Sequence, residues 1–252
     1  MTQAVPWTTA GPPAPDAPSD PDADLLRGRY NGLIALGAAG SPRSTQVSIG
    51  SSEVGYPCDR RIAYRLAGTP AVNHRDPVRT LVGLGLHLVL RDLFGRLGGG
   101  VAGWFLTDAA VAHGTVPGTL DLYDRPMRTV VDWKSTTKAK LPQLRRDGPP
   151  MVSVVQLQLY ARGLVALGED PRFVALHYIP IDGELGDSWL WRGVVDLRVA
   201  DEAVSRVETL RGRDPATVPC MPDRLCPWCH HYNPNSTDLS RSCPGNAKGG
   251  PR

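Results

Sequence analysis

The stretch Gly118–Ser135 constrains the fold more than any other part of the chain. Two runs of strand-forming residues flank a turn cluster at Asp124–Met127, where Pro126 marks the reversal. Side chains alternate in the second run, so Asp132 and Lys134 share one face while Val131 and Trp133 share the other. In the first run Thr119, Asp121 and Tyr123 are expected on one face, with Leu120 and Leu122 packed behind. A reversal centred on Pro126–Met127 sets Asp121 opposite, or nearly opposite, Asp132. Two carboxylates beside one ammonium in mid-hairpin are costly unless a divalent cation neutralises the acids. Taken alone, the same stretch also reads as an exposed hairpin with a surface ion pair.

Elements around this hairpin follow from hydrophobic periodicity. A short helix is expected from about Asp24 to Leu36. A Ser-led pattern predicts a helix beginning near Ser51 and another after Pro57. Residues 78–95 read as a strongly apolar helix, with Thr80, Gly83, His87 and Arg91 on one narrow stripe. Residues 101–135 read as strands, followed by a basic loop carrying Lys138, Lys140, Arg145 and Arg146. Residues 151–167 form a helix in which Gln156 and Tyr160 share one face and Gln158 and Arg162 the roughly opposite one, one of the two being expected to face solvent. Strands over Arg172–Pro180 and Ser188–Val195 and a helix over 198–211 complete the core. No internal repeat is visible.

Charge and cysteine usage narrow the class. The net charge of +3 conceals an asymmetry: Asp16, Asp20, Asp22 and Asp24 put −4 on residues 1–24, leaving +7 elsewhere. That excess is compatible with an anionic partner. Residues 1–24 are rich in Pro, Ala and Asp and are expected to form a disordered tail. Neither a signal peptide nor a membrane-spanning run is apparent, so the chain reads as soluble and cytoplasmic. Five cysteines, most of them near the C-terminus, read as metal ligands rather than a disulfide framework. Cys226-Pro-Trp-Cys229 in a Pro-rich, polar tail is the strong cue, with the metal left open. Cys58, with no neighbouring ligand, reads by itself as a small core residue.

The ordered set His87, Gly118-x-x-Asp121, Asp132-x-Lys134 and Gln156-x-x-x-Tyr160 resembles the RecB-type branch of the PD-(D/E)XK nuclease superfamily. The Cys58 segment with Arg60-Arg61-x-x-Tyr64, together with Cys226, Cys229 and Cys243, is similar to its iron–sulfur subgroup, which includes CRISPR-associated exonucleases and bacteriophage relatives. The resemblance covers roughly Ser48 to Gly245. It implies an α/β, restriction-endonuclease-like fold: a mixed β-sheet flanked by helices, with a Cys-rich C-terminal appendage. The implied organisation is a tail over 1–24, a nuclease core over 25–215 and a cluster-binding tail over 216–252 joined to Cys58.

The resemblance also implies site roles. Asp121 and Asp132 hold Mg²⁺ or Mn²⁺, with His87 and the Trp133 backbone carbonyl completing the shell. Lys134 activates water and stabilises charge, and Gln156 and Tyr160 position DNA or water. Cys58, Cys226, Cys229 and Cys243 bind a [4Fe–4S] cluster. The basic residues at 138–146 are candidates to contact the phosphate backbone. The spacing between Cys229 and Cys243 is longer than the family's, so Cys220 as a ligand, or zinc in a Cys/His set, stays open. The implied activity is metal-dependent DNA exonuclease action on single-stranded or end-opened DNA, with recombination or CRISPR-adaptation proteins as partners. Two rivals remain: a non-catalytic DNA-binding module with a zinc-stapled tail, and an end-trimming endonuclease active only within a complex.

Overall fold

The computed structural model describes residues 21–39, 49–74, 76–100 and 103–245. The chain divides into two compact units, Met1–Thr45 and Gln46–Arg252. In the first, a helix α1 spans Pro21–Ala39 and leaves Leu25, Tyr30, Leu33 and Leu36 exposed. Most of the expected disordered tail lies outside the described residues.

The second unit is organised on a five-stranded sheet: β1 (Phe105–Thr107), β4 (Leu122–Asp124), β5 (Thr129–Thr136), β6 (Phe173–Pro180) and β7 (Trp189–Val194), in that order across the sheet. β5 and β6 are parallel and every other neighbouring pair is antiparallel, which makes the sheet mixed. A parallel neighbour requires a crossover rather than a hairpin. Helices α5 (Leu141–Asp147) and α6 (Met151–Ala166) supply it. A separate hairpin pairs β2 (Ala110–His113) with β3 (Val116–Thr119).

Helices cover both faces of the sheet, as the nuclease resemblance implies. On one face α4 (Val78–Gly100) sets Leu90 and Phe94 against Leu122, Val131, Trp133 and Ala175. The Phe94 and Trp133 rings stack at 5.4 Å. On the other face α6 packs Leu157, Tyr160, Ala161 and Leu164 over Val130, Val174 and Leu176. A further layer of α2 (Ser51–Val54), α3 (Asp59–Leu66) and α7 (Leu197–Leu210) closes over the back of α6. Because α6 is enclosed from both sides, it carries apolar residues around most of its circumference. Gln158 therefore does not face solvent: its Nε2 donates to the Val194 carbonyl at 3.1 Å, and its Oε1 accepts from the Asp196 N–H at 2.9 Å.

Two local expectations change. The basic loop is instead a 3-10 turn (Lys138–Lys140) running into α5, because Leu141 is buried and Leu144 packs beside it against the α6-side core. The first run of the hairpin is not one strand. It ends as β3 at Thr119 and restarts as β4 at Leu122, and this break sends Leu120 to the α6 face and Leu122 to the α4 face. The register is nonetheless the expected one: Leu122 faces Val131 and Tyr123 faces Val130, so the next step outward sets Asp121 against Asp132.

Candidate active site

Asp132 occupies the middle of β5 with 1% of its surface exposed. Flanking Val131 and Trp133 are held by the α4-side core, which forces the Asp132 and Lys134 side chains onto the α6 face. Asp121 sits in the break between β3 and β4. Its Oδ2 accepts the Trp133 backbone N–H at 3.1 Å, and its Oδ1 lies 2.9 Å from His87 Nδ1. The α4 stripe thus faces the site: Gly83 approaches Ser135, His87 reaches Asp121 and Arg91 pairs with Asp108 at 2.8 Å.

Lys134 Nζ stands 2.6 Å from Asp132 Oδ2 and donates to Gln156 Oε1 at 3.1 Å. Lys134 is the ion partner of the Asp132 carboxylate; beyond it no hydrogen bond reaches either oxygen among the described residues, although both are cut off from water. A buried carboxylate in that condition is expensive. Burial pushes the Asp132 carboxyl up to about 6; the Lys134 ammonium opposes the shift, and the Asp121 charge adds to it. Gln156 Nε2 donates to the Tyr160 hydroxyl at 2.7 Å. The structure therefore brings together His87, Asp121, Asp132, Trp133, Lys134, Gln156 and Tyr160.

Two groups at this site went unrecognised in the sequence. Ser51, noted there only as a helix start, is buried at the head of α2, its hydroxyl and the Tyr160 ring both flanking Gly118. Tyr178 is paired across β5–β6 with Lys134, and its buried hydroxyl has no partner among the described residues. Burial and the Asp132 charge raise its pKa. A tyrosine within an apolar strand carries no sequence signal that separates it from core.

The basic residues lie outside this constellation, exposed on the turn and on α5. Lys138 pairs with Asp187 at 3.0 Å, Arg145 donates to the Asp187 carbonyl at 3.2 Å, and Arg146 pairs with Asp147 at 2.9 Å.

All five cysteines line one pocket, together with Arg60, Tyr64 and Tyr232. The long spacing before Cys243 is absorbed by a closed excursion: Cys243 N donates to the His231 carbonyl at 2.8 Å, and Asn233 N to the Cys243 carbonyl at 2.9 Å. Cys243 consequently returns to the neighbourhood of Cys229. Cys220 joins the set, its sulfur 3.4 Å from that of Cys243. Burial raises the Cys220, Cys226 and Cys229 thiols. The tail is fastened to α3 by Arg60 Nε on the Val218 carbonyl at 2.9 Å and by the Tyr64 hydroxyl on the Leu239 carbonyl at 2.6 Å. His231, 1% exposed, stacks on Tyr64 at 4.6 Å; burial lowers its pKa to about 4. Among the described residues, no three His, Cys, Asp or Glu side chains close on a point that would hold a single metal ion.

No family model and no curated protein matches the chain. Solved structures similar to the chain include the protein SSO0001, 16% identical, covering 81% of this chain and 93% of that one with a TM-score of 0.47. They also include the alkaline exonuclease LHK-Exo from Laribacter hongkongensis, 13% identical over 65% and 86% of the two chains, TM-score 0.46. A phage related exonuclease from Haemophilus somnus 129PT is 14% identical over 65% and 92%, TM-score 0.44. At these identities and scores the likeness assigns neither a residue role nor an activity to this chain. No described helix is long and apolar enough to cross a membrane.

Proposed function

We propose that the chain is a metal-dependent DNA exonuclease of the RecB-type PD-(D/E)XK class, acting on single-stranded or end-opened DNA. The observation that carries this reading is the Asp132 carboxylate: fully buried, 2.6 Å from the Lys134 ammonium, and next to a second acid. Two such acids beside one ammonium leave negative charge uncompensated. Hard oxygen donors left open beside another carboxylate fit a divalent cation. His87, Asp121, Asp132 and the Trp133 carbonyl would hold Mg²⁺ or Mn²⁺, which when bound supplies charge neutralisation at the phosphate and an acidified water.

The protein's own groups do the rest. Lys134, braced by Gln156, keeps a positive charge at the mouth of the carboxylate, where phosphoryl charge develops. Asp121 fixes the His87 ring and the Trp133 peptide together, so three candidate ligands are positioned as a unit. Lys138, Lys140, Arg145 and Arg146 provide an exposed basic flank for the DNA backbone.

The tail fits a [4Fe–4S] cluster held by Cys58, Cys226, Cys229 and Cys243. Four thiols lining one pocket, with Cys220 3.4 Å from Cys243, are what support that cluster. Its role here is to tie the C-terminal segment to α3, and recombination or CRISPR-adaptation proteins are the partner class. The test is cleavage of single-stranded and end-opened DNA with Mg²⁺ or Mn²⁺ by wild type, Asp132→Asn and Lys134→Ala. Equal cleavage by all three would overturn the catalytic assignment. Zinc without iron or sulfide after anaerobic purification would overturn the cluster.

A further inference from the structure

Lys134 holds a position that a cation at Asp132 would not let it keep. An ammonium carries three N–H donors and no acceptor. One donor points at Asp132 Oδ2, 2.6 Å away, and one at Gln156 Oε1, 3.1 Å away. A divalent cation bound by the same carboxylate would sit about 2.0–2.6 Å from its oxygens. Cation and ammonium would then be like charges almost in contact, at a carboxylate only 1% exposed to the water that could screen them. Lys134 therefore has to give up Asp132 when the cation arrives. The donor it frees needs a new acceptor, and with the Lys134 side chain 27% exposed, most of what surrounds it is protein.

Tyr178 offers that acceptor. β5 and β6 run parallel with Lys134 paired to Tyr178, and paired residues on strands about 4.8 Å apart project to the same face. The shared face is that of α6, where Tyr178 packs with Val130, Val174 and Leu176. Lysine and tyrosine are of nearly equal length, so their polar ends reach similar heights above the sheet. Trp189, on the strand beyond, stacks on the Tyr178 ring at 5.5 Å and backs it on the side away from β5. The Tyr178 hydroxyl is buried and has no hydrogen-bond partner among the described residues. Phenylalanine would fill the same space without the cost of an unpaired hydroxyl. What the oxygen adds to the packing is an open acceptor, beside an ammonium that stands to lose one.

We propose that Tyr178 is a positioning residue: its hydroxyl oxygen accepts the N–H that Lys134 withdraws from Asp132 when a divalent cation binds, and so keeps the ammonium in the site between Gln156 and Tyr178. This rests on the nuclease reading above. Lys134 stays protonated throughout, and only its hydrogen-bond partner changes. Without the hydroxyl the ammonium is left competing with the cation for Asp132, so the loss falls on cation affinity.

The test is a double-mutant cycle on Mn²⁺ binding, measured by calorimetry on the full chain without DNA, with metal-free melting temperatures recorded for every protein. Asp132→Asn identifies the binding that belongs to this site, because that binding disappears with the carboxylate. Tyr178→Phe keeps the ring and its stack on Trp189, and is expected to raise the Kd for Mn²⁺ roughly 5- to 50-fold, the scale of one hydrogen bond to a charged group. In a Lys134→Met background, where no ammonium has to move, the same change is expected to shift Kd by no more than about twofold. An equal loss of affinity in both backgrounds would overturn the proposal, because Tyr178 would then act on the cation independently of Lys134. A Tyr178→Phe Kd within twofold of wild type would overturn it as well. Both results require a wild type whose Mn²⁺ binding is abolished by Asp132→Asn. They are thus distinct from failure of the nuclease reading, in which wild type shows no such binding.

Discussion

Replacing Asp132 by Asn should make the metal-free protein more stable and inactive at once. Burial raises the carboxyl from its ordinary 3.8 to about 6. At 1.36 kcal/mol per pKa unit, ionising it in the folded state costs about 3 kcal/mol. The sign follows from proton linkage. A carboxyl raised in the folded state binds its proton more tightly there than in the unfolded chain, so the wild type loses this stability as pH rises from about 4 through 6. Asn is a neutral near-isostere and escapes the loss, although its buried NH₂ also lacks a ready acceptor and gives back about 1 kcal/mol. The expected gain is about 1–3 kcal/mol at pH 8, or roughly 2–10 °C in Tm for a chain of this size, shrinking towards zero near pH 4. Chemical denaturation in chelator at several pH values measures it. Mn²⁺ at a hundred times its Kd should then stabilise wild type by about 2.7 kcal/mol and the variant far less. A stability difference that stays flat between pH 4 and 8, or an Asn variant less stable at pH 8, would refute the account of Asp132 as a carboxylate held at a cost.

The remaining expectations concern its surroundings. Gly118→Ala should lower Tm by about 1–3 kcal/mol equivalent and depress cleavage, because the added Cβ would stand inside contact distance of Tyr160 and Ser51. A variant with unchanged Tm and rate would refute that packing. Tyr178→Phe removes a buried hydroxyl without a described partner, so thermal melting should show no loss and a gain of up to about 1 kcal/mol. Cys226→Ser should lose iron and sulfide by chemical analysis and melt earlier, since the tail would be left with its hydrogen bonds to α3. Arg206→Met should cost about 2–4 kcal/mol in denaturant unfolding: it breaks the 2.6 Å pair with Asp59 and leaves the Val54, Tyr56 and Pro57 carbonyls without their donor.

How far the sequence spoke depended on what each residue's signal was made of. The strict alternation over Thr129–Ser135 placed Asp132 and Lys134 on one face because Val131 and Trp133 needed the other, and the structure shows that division. The Pro126 turn fixed the Asp121 register for the same local reason. The preceding run failed as a single strand because a break at Leu120–Asp121 lets those two side chains serve different surroundings, a tertiary demand with no local marker. The basic segment failed as a loop because Leu141 and Leu144 had weight as core anchors that Lys and Arg composition hid. Gln158 carried the same letter as Gln156 two positions away. The enclosure of α6 on both sides takes Gln158 into the β7–α7 junction instead of solvent, whereas Gln156 meets Lys134.

The arrangement also explains why the acidic site and the cysteine pocket belong to one fold rather than two attachments. Ser51 lies beside Gly118 and the Tyr160 ring, and Cys58 lines the thiol pocket; the short segment between them runs from the single turn of α2 to Pro57. Arg206, projecting from α7, gathers its Val54, Tyr56 and Pro57 carbonyls and then pairs with Asp59 beyond the cysteine. One guanidinium thus satisfies the three backbone acceptors a loop in this position would otherwise leave to water. Arg60, two residues after Cys58, repeats the device from the other side by donating to the Val218 carbonyl. The segment between the two sites is therefore held by side chains from α7 and by the tail itself. The position of Ser51 beside Tyr160 and that of Cys58 among the other thiols are consequences of the same clamp.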